Sequence, residues 1–255
     1  MQAINIAVVQ THLHWEDVEA NLAHFESKIE GIKDCDLIIL PEMFSTGFSM
    51  KPELLAKESS EKSIAWLLRM STKLNAAIMG SIMHVDEGKY YNALAFVTPE
   101  QEIQWYYKRH LFSPGDESKH YSQGKDRLII NYKGWQILPL ICYDLRFPVF
   151  SRNTCAYDLM VYVANWPQKR NYAWQQLLKA RAIENQTYVV ACNRIGHDGN
   201  GVEHIGNSGI INYLGEEIGF GSDDKVFQFY LNKASLEDYR IQFPVLDDAD
   251  HFELL

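Results

Sequence analysis

Gln136-Ile137-Leu138-Pro139-Leu140-Ile141-Cys142-Tyr143-Asp144-Leu145-Arg146-Phe147-Pro148 carries the decisive pattern of this chain. Leu138, Leu140 and Ile141 predict a strand that ends at Cys142, and the residues after it read as a turn into a helix. A cysteine at such a turn gains from the helix amino terminus, which favours the thiolate. The turn also exposes the sulfur and aims the next backbone N–H at an attacked carbonyl, as a nucleophile elbow does. Upstream, Arg127–Tyr132 reads as a partner strand, with Lys133-Gly134 as the hairpin turn between the two.

The same alternation extends in both directions. Strands are predicted at Ile4–Val9, Asp36–Pro41, Ala76–Met83, Tyr91–Val97, Ile103–Lys108, Leu159–Asn165, Thr187–Asn193 and Ser208–Tyr213, with further ones at Glu216–Gly219 and Val226–Leu231. Helices are predicted at Ala20–Ile32, at Ser60–Asn75 with Ser60 as its cap, and around Trp174, Leu177, Leu178, Arg181 and Ala182. Many strands with several helices imply a layered α+β architecture, whose strands periodicity alone does not divide into one sheet or two. No repeat or Pro/Gly-rich linker interrupts residues 1–255, so a single domain is expected. The segment from 243 to 255 is acidic and aromatic without a period, and is expected either to fray or to pack on a partner.

Composition narrows the function. The 24 Lys and Arg stand against 33 Asp and Glu, a net charge of −9, which lacks the basic footprint of a nucleic-acid or anionic-membrane binder. The start MQAINIAVVQ has no basic n-region and no sufficient apolar core for a signal peptide. A cytoplasmic location with reduced thiols is therefore expected. The cysteines at 35, 142, 155 and 192 form no C-x-x-C pair, and Cys35, Cys155 and Cys192 read as buried packing thiols. His12, His14, His84, His197 and His204 are scattered, without a metal-ligand spacing.

Four polar residues fall where strands should end: Glu42, Lys108, Cys142 and Asn165. A carboxylate such as Glu42 can take a thiol proton and later activate water. A lysine such as Lys108 supplies fixed positive charge to the oxyanion of a tetrahedral intermediate. Glu117 is a candidate second carboxylate that could orient the lysine or the leaving group. Read singly, each residue has an ordinary alternative as a solvated strand terminus.

Taken together, LPEMF at 40–44, YYKRHLF at 106–112 and ICYDLRFP at 141–148 resemble the three signature blocks of the nitrilase, or carbon–nitrogen hydrolase, superfamily. The resemblance extends through ANWP at 164–167 and RAIENQTYVVACNR at 181–194, nearly the whole chain. It implies a four-layer α-β-β-α sandwich. It also implies Glu42 as general base, Lys108 as oxyanion stabiliser, Cys142 as nucleophile and Glu117, in GDESKHY, as the second glutamate. PEMFSTGFSM and CYDLRFPVFSRN are most similar to the ω-amidase branch, which hydrolyses the terminal amide of 2-oxoglutaramate and 2-oxosuccinamate. That chemistry uses water as co-substrate and implies no cofactor and no metal. The free carboxylate of such substrates would need a cationic partner, for which Arg146 and Arg194 are candidates, while Phe48, Tyr143, Asn165 and Trp166 could complete the pocket. The family also implies a homodimer or higher homo-oligomer, with 243–255 as a dimer-contacting tail.

Three other readings compete. An N-carbamoyl amine or aliphatic amide hydrolase would share the blocks, and a catalytically silent binding protein would share the fold. A papain-like thiol hydrolase lacks a histidine paired with Cys142.

Overall fold

The computed structural model describes residues 3–253. Residues 1–2, in the predicted leaderless start, and 254–255, in the predicted tail, lie outside the described residues. The elements in chain order are β1 (Ala3–Gln10), α1 (Val18–Ile29), β2 (Leu37–Ile39), α2 (Pro52–Leu74), β3 (Ala77–Asp86), β4 (Lys89–Val97) and β5 (Ile103–Tyr107). They continue with α3 (Glu117–His120), β6 (Ile130–Tyr132), β7 (Trp135–Ile141), α4 (Pro148–Ser151), β8 (Leu159–Ala164), α5 (Asn171–Asn185) and β9 (Tyr188–Asn193). The last are β10 (Ile195–His197), β11 (Glu203–Ile205), β12 (Ser208–Ile211), β13 (Glu217–Gly221), β14 (Lys225–Asn232) and α6 (Lys233–Gln242).

Two six-stranded sheets run β14-β1-β2-β3-β4-β5 and β13-β12-β9-β8-β7-β6. Each has a parallel centre, β1-β2-β3 in one and β7-β8-β9 in the other, flanked by antiparallel strands. Parallel strands buried on both faces require continuous apolar runs, and Leu37–Ile39, Leu159–Ala164 and Val189–Cys192 supply them. Period-2 alternation sorts the β1 residues by face. Ile4, Ile6 and Val8 join Ile137, Ile141, Val161 and Val163 between the sheets. Ala7 and Val9 pack with Phe25 and Ile29 of α1 and Trp66, Leu67 and Met70 of α2. Trp174, Leu178 and Ala182 place α5 on the outer face of the second sheet. The result is the expected α+β sandwich of four layers, α-β-β-α.

Several boundaries differ from those predicted. The hairpin turns at Lys133-Gly134, both with positive φ (48° and 83°) as a two-residue turn needs, but β6 pairs only over 130–132. Helix α2 starts at Pro52 rather than Ser60, since proline at the first helical position has no N–H to satisfy. Ser60 is instead buried mid-helix, 2.9 Å from His84 Nδ1. Helix α6 and the separate β10–β11 ladder were not anticipated. The predicted tail begins pinned to its own chain, since Gln186 Nε2 donates to the Phe243 carbonyl at 2.7 Å. Cys35 is half-buried and Cys192 buried, but Cys155 is exposed, contrary to its reading as a buried thiol. Among the described residues, no helix is long and apolar enough to cross a membrane.

Candidate active site

The strand ends converge as their positions predict. Beyond β2, Leu40 and Pro41 carry the chain to Glu42, passing so close to β3 that a Cβ on Gly80 would lie 2.8 Å from Leu40 Cβ. Lys108 follows β5, Cys142 follows β7 and Asn165 follows β8. Two sheets packed face to face bring these four ends together at one edge.

Glu42, Lys108 and Glu117 are almost completely buried and bond to one another and to their neighbours, while Asn92 Oδ1 and Asn165 Oδ1 have no partner among the described residues. Lys108 Nζ donates to Glu42 Oε1 at 2.8 Å and to Glu117 Oε1 and Oε2 at 3.0 and 2.9 Å. Asn92 Nδ2 donates to the same two carboxylates at 2.8 and 3.0 Å. The Asn165 N–H donates to Glu42 Oε2 at 2.7 Å, and the Phe112 N–H to Glu117 Oε2 at 2.6 Å. Burial by itself would lower the Lys108 ammonium, but the charges of Glu117 and Glu42 outweigh it and hold the lysine above its ordinary value. Glu117 is raised, chiefly by burial and by Glu42, which together exceed the attraction of Lys108. One ammonium faces two buried carboxylates, so the cluster is poised to retain a proton.

Cys142 has φ of +44°, the left-handed region that a side chain adopts at a cost, and opens a 3₁₀ turn through Arg146. Asp144 locks this turn: its carboxylate accepts the Ile141 N–H at 2.9 Å, the Tyr106 hydroxyl at 2.8 Å and the His110 N–H at 3.0 Å. The elbow therefore exists, but it does not favour the thiolate as expected. Burial first, then the neighbouring Glu42 charge, push the Cys142 thiol well above its ordinary range, because a single short turn brings little helix dipole. At rest the thiol keeps its proton, so a base must take it.

The cavity above these groups has a volume of about 670 Å³. Glu42, Lys108 and Cys142 reach it, as do Phe48, Tyr143, Arg146, Asn165 and Trp166. Glu117 sits behind the lysine rather than on the cavity wall. Arg194 does not line it: its Nε donates to the Ile195 carbonyl and its Nη2 to the His197 carbonyl, so the guanidinium shapes the backbone of β10. Arg170 lines the cavity in its stead, its guanidinium 5.1 Å from the Phe112 ring, while Arg146 lies 4.9 Å from the Trp166 ring. Neither arginine has an acidic partner within 4.0 Å among the described residues. The β10–β11 hairpin lines the cavity as well, through residues that include His197, Asp198 and His204.

Sequence reasoning missed Asn92, Asp144 and Arg170. Asn92 is the one amide in the apolar run 91–97, and Asp144 stands three residues after Ile141 at capping-box spacing, so both left a trace. Arg170 left none.

A cysteine elbow facing a lysine and two carboxylates between stacked mixed sheets belongs to a recognisable class. The chain is a member of the carbon-nitrogen hydrolase family, the nitrilase superfamily, whose profile matches residues 5–226, and it is a hydrolase of amide carbon–nitrogen bonds. It is 45% identical to omega-amidase YafV of Escherichia coli (strain K12) over the full length of both chains. It is 31% identical to a 2-oxoglutaramate amidase of Bacillus subtilis, covering 95% of this chain and 96% of that one. A crystal structure of XC1258 from Xanthomonas campestris, a CN-hydrolase superfamily protein with an arsenic adduct in its active site, superposes with a TM-score of 0.94 at 38% identity, with all of each chain covered.

Proposed function

We propose that this amidase removes the terminal amide of small dicarboxylic monoamides, 2-oxoglutaramate and 2-oxosuccinamate, through a thioester on Cys142. The observation that carries the substrate class is the pair of guanidinium groups, Arg146 and Arg170, that line the same cavity as Cys142 without an acidic partner. Such groups suit a bidentate carboxylate, and stacking on aromatic faces holds them ready.

In this reading Glu42 takes the thiol proton as the sulfur attacks the amide carbon. The oxyanion is held by Lys108 and by the Tyr143 N–H. Glu42 returns its proton to the amide nitrogen, the carbon–nitrogen bond breaks and ammonia leaves a thioester. Water then loses a proton to Glu42 and attacks the thioester, releasing the acid and restoring the thiol. Glu117 positions Lys108 and does not touch the substrate. Asn165 and Trp166, with Phe48, wall the reacting carbon. The 45% identity to an omega-amidase supports the same substrate class.

The test compares ammonia release from 2-oxosuccinamate and from a neutral aliphatic amide of similar length. Arg146→Met with Arg170→Met should raise KM for the dicarboxylic monoamide by roughly tenfold or more, as loss of a charged bond does, and leave the neutral amide unaffected. Equal losses on both substrates, or none, would reject the carboxylate assignment. Mass detection of an acyl adduct on Cys142, absent in Cys142→Ser, tests the thioester separately.

A further inference from the structure

We propose that His12, His14 and His24 form a binding site for one divalent transition-metal ion of the zinc type, apart from the hydrolytic centre. The segment Thr11-His12-Leu13-His14 is extended after β1, so His12 and His14 share one face while Leu13 turns inward and is buried. His24 meets them from α1, correcting the view of the histidines as scattered. The ring centroids lie 4.9 Å apart for His12 and His14, 4.4 Å for His12 and His24, and 5.6 Å for His14 and His24. One ligand nitrogen of each lies within 4.8 Å of the others. Tetrahedral zinc needs nitrogens about 3.4 Å apart at bonds of about 2.0–2.1 Å, a contraction of roughly an ångström per ring.

The site has the supports a metal site requires. His14 is fixed by its backbone: its N–H donates to Asn21 Oδ1 at 2.8 Å and its carbonyl accepts from Asn21 Nδ2 at 2.6 Å. Thr11 Oγ1 lies 2.7 Å from His24 Nε2, and Asp224 Oδ2 lies 3.4 Å from His12 Nδ1. A hydroxyl or carboxylate on one ring nitrogen fixes the imidazole and directs the other nitrogen at an ion. Asp224, also paired with Lys28 at 2.6 Å, brings negative charge to the rim. The exposed His14 leaves a coordination position open to water. Three imidazoles are a borderline-soft donor set that suits zinc, nickel or copper rather than magnesium or calcium. None of the three takes part in the proposed hydrolysis. The ion would act as a brace, because His12 bridges Ile195 at the start of β10 and the Ile195 N–H donates to the Thr11 carbonyl at 3.1 Å.

The test titrates Zn²⁺ into the full chain freed of any polyhistidine tag, using a competing chromophoric chelator. It is repeated in Cys142→Ala, so that the active-site thiol takes no ion. Both should bind one Zn²⁺ per chain, and Co²⁺ should give the intense visible absorption of a low-coordinate nitrogen site. His24→Gln and His14→Gln should each weaken Zn²⁺ by roughly tenfold or more. Zn²⁺ should raise Tm of the parent but not of the variants. His14 is exposed, so His14→Gln keeps the fold and remains informative if His24→Gln unfolds. Absent stoichiometric binding, unchanged affinity in His14→Gln, or binding lost in Cys142→Ala would each overturn the site.

Discussion

Glu42 and Asn165 hold each other twice across the seam between the sheets. The Asn165 N–H donates to the Glu42 carboxylate at 2.7 Å, and the Asn165 amide donates to the Glu42 carbonyl at 2.6 Å. One residue follows β2 and the other β8, so the orientation of the proposed base depends on how the two sheets dock.

Asn165→Ala leaves the backbone bond and removes the side-chain one. The orphaned Glu42 carbonyl should cost about 1–3 kcal/mol in chemical denaturation. Amide turnover should fall further than that loss of folded protein explains, through kcat rather than KM. A fully active variant would show that the pair does not orient the base.

Lys108→Met should nearly abolish turnover and also destabilise the fold by about 3–5 kcal/mol, since two buried carboxylates lose their cation. Adding Glu117→Gln should recover part of the stability and none of the rate. Denaturation midpoints and ammonia release, measured on the same preparations, separate these effects. Recovery of rate in the double variant would count against the oxyanion role of the lysine.

Asp144→Asn puts an amide where an oxygen accepts two donors. The elbow should loosen, at a cost of about 1–3 kcal/mol for each donor left unpaired. Hydrogen exchange at the Ile141 and His110 amides should quicken, and turnover should drop although Asp144 does not line the cavity.

His204 predicts an acid limb of stability. Burial, reinforced by the Arg194 charge, holds its ring at about 4 against an ordinary 6.5. The folded state thus resists a proton that the unfolded chain accepts. The group has no effect above pH 6.5, and stability falls as pH drops from 6.5 toward 4, by at most about 1.4 kcal/mol per pH unit. His204→Gln should flatten this limb in denaturation curves and leave the neutral-pH midpoint little changed. An unaltered slope would place the acid sensitivity elsewhere.

The parts of the site that were legible lie where local chemistry and topology agree. Cys142, Glu42, Lys108 and Asn165 each end an apolar run, and a layered fold gathers such ends at one edge. Lys133-Gly134 declared its turn by the backbone angles it needs. Arg194 misled because a cation in a family block looks like a binding group, whereas its carbonyl partners are set by a hairpin with no periodic pattern. Arg170 and the His12–His14–His24 cluster depend on the docking of segments distant in sequence. No spacing records that docking.

The cavity draws its parts from two kinds of scaffold. The groups proposed to break the amide bond stand at the ends of strands in the two large sheets, fixed by cores on both faces. Much of the remaining wall is the β10–β11 hairpin, a ladder outside both sheets, and Arg170 stands on a short 3₁₀ turn. Part of the selectivity is therefore separable from reactivity in inheritance, although Arg146 shares the turn that carries Cys142. Exchanges of length or charge between residues 195 and 205 can redirect which acyl group is accepted while the hydrolytic apparatus stays intact, so relatives can diverge in diet without refolding.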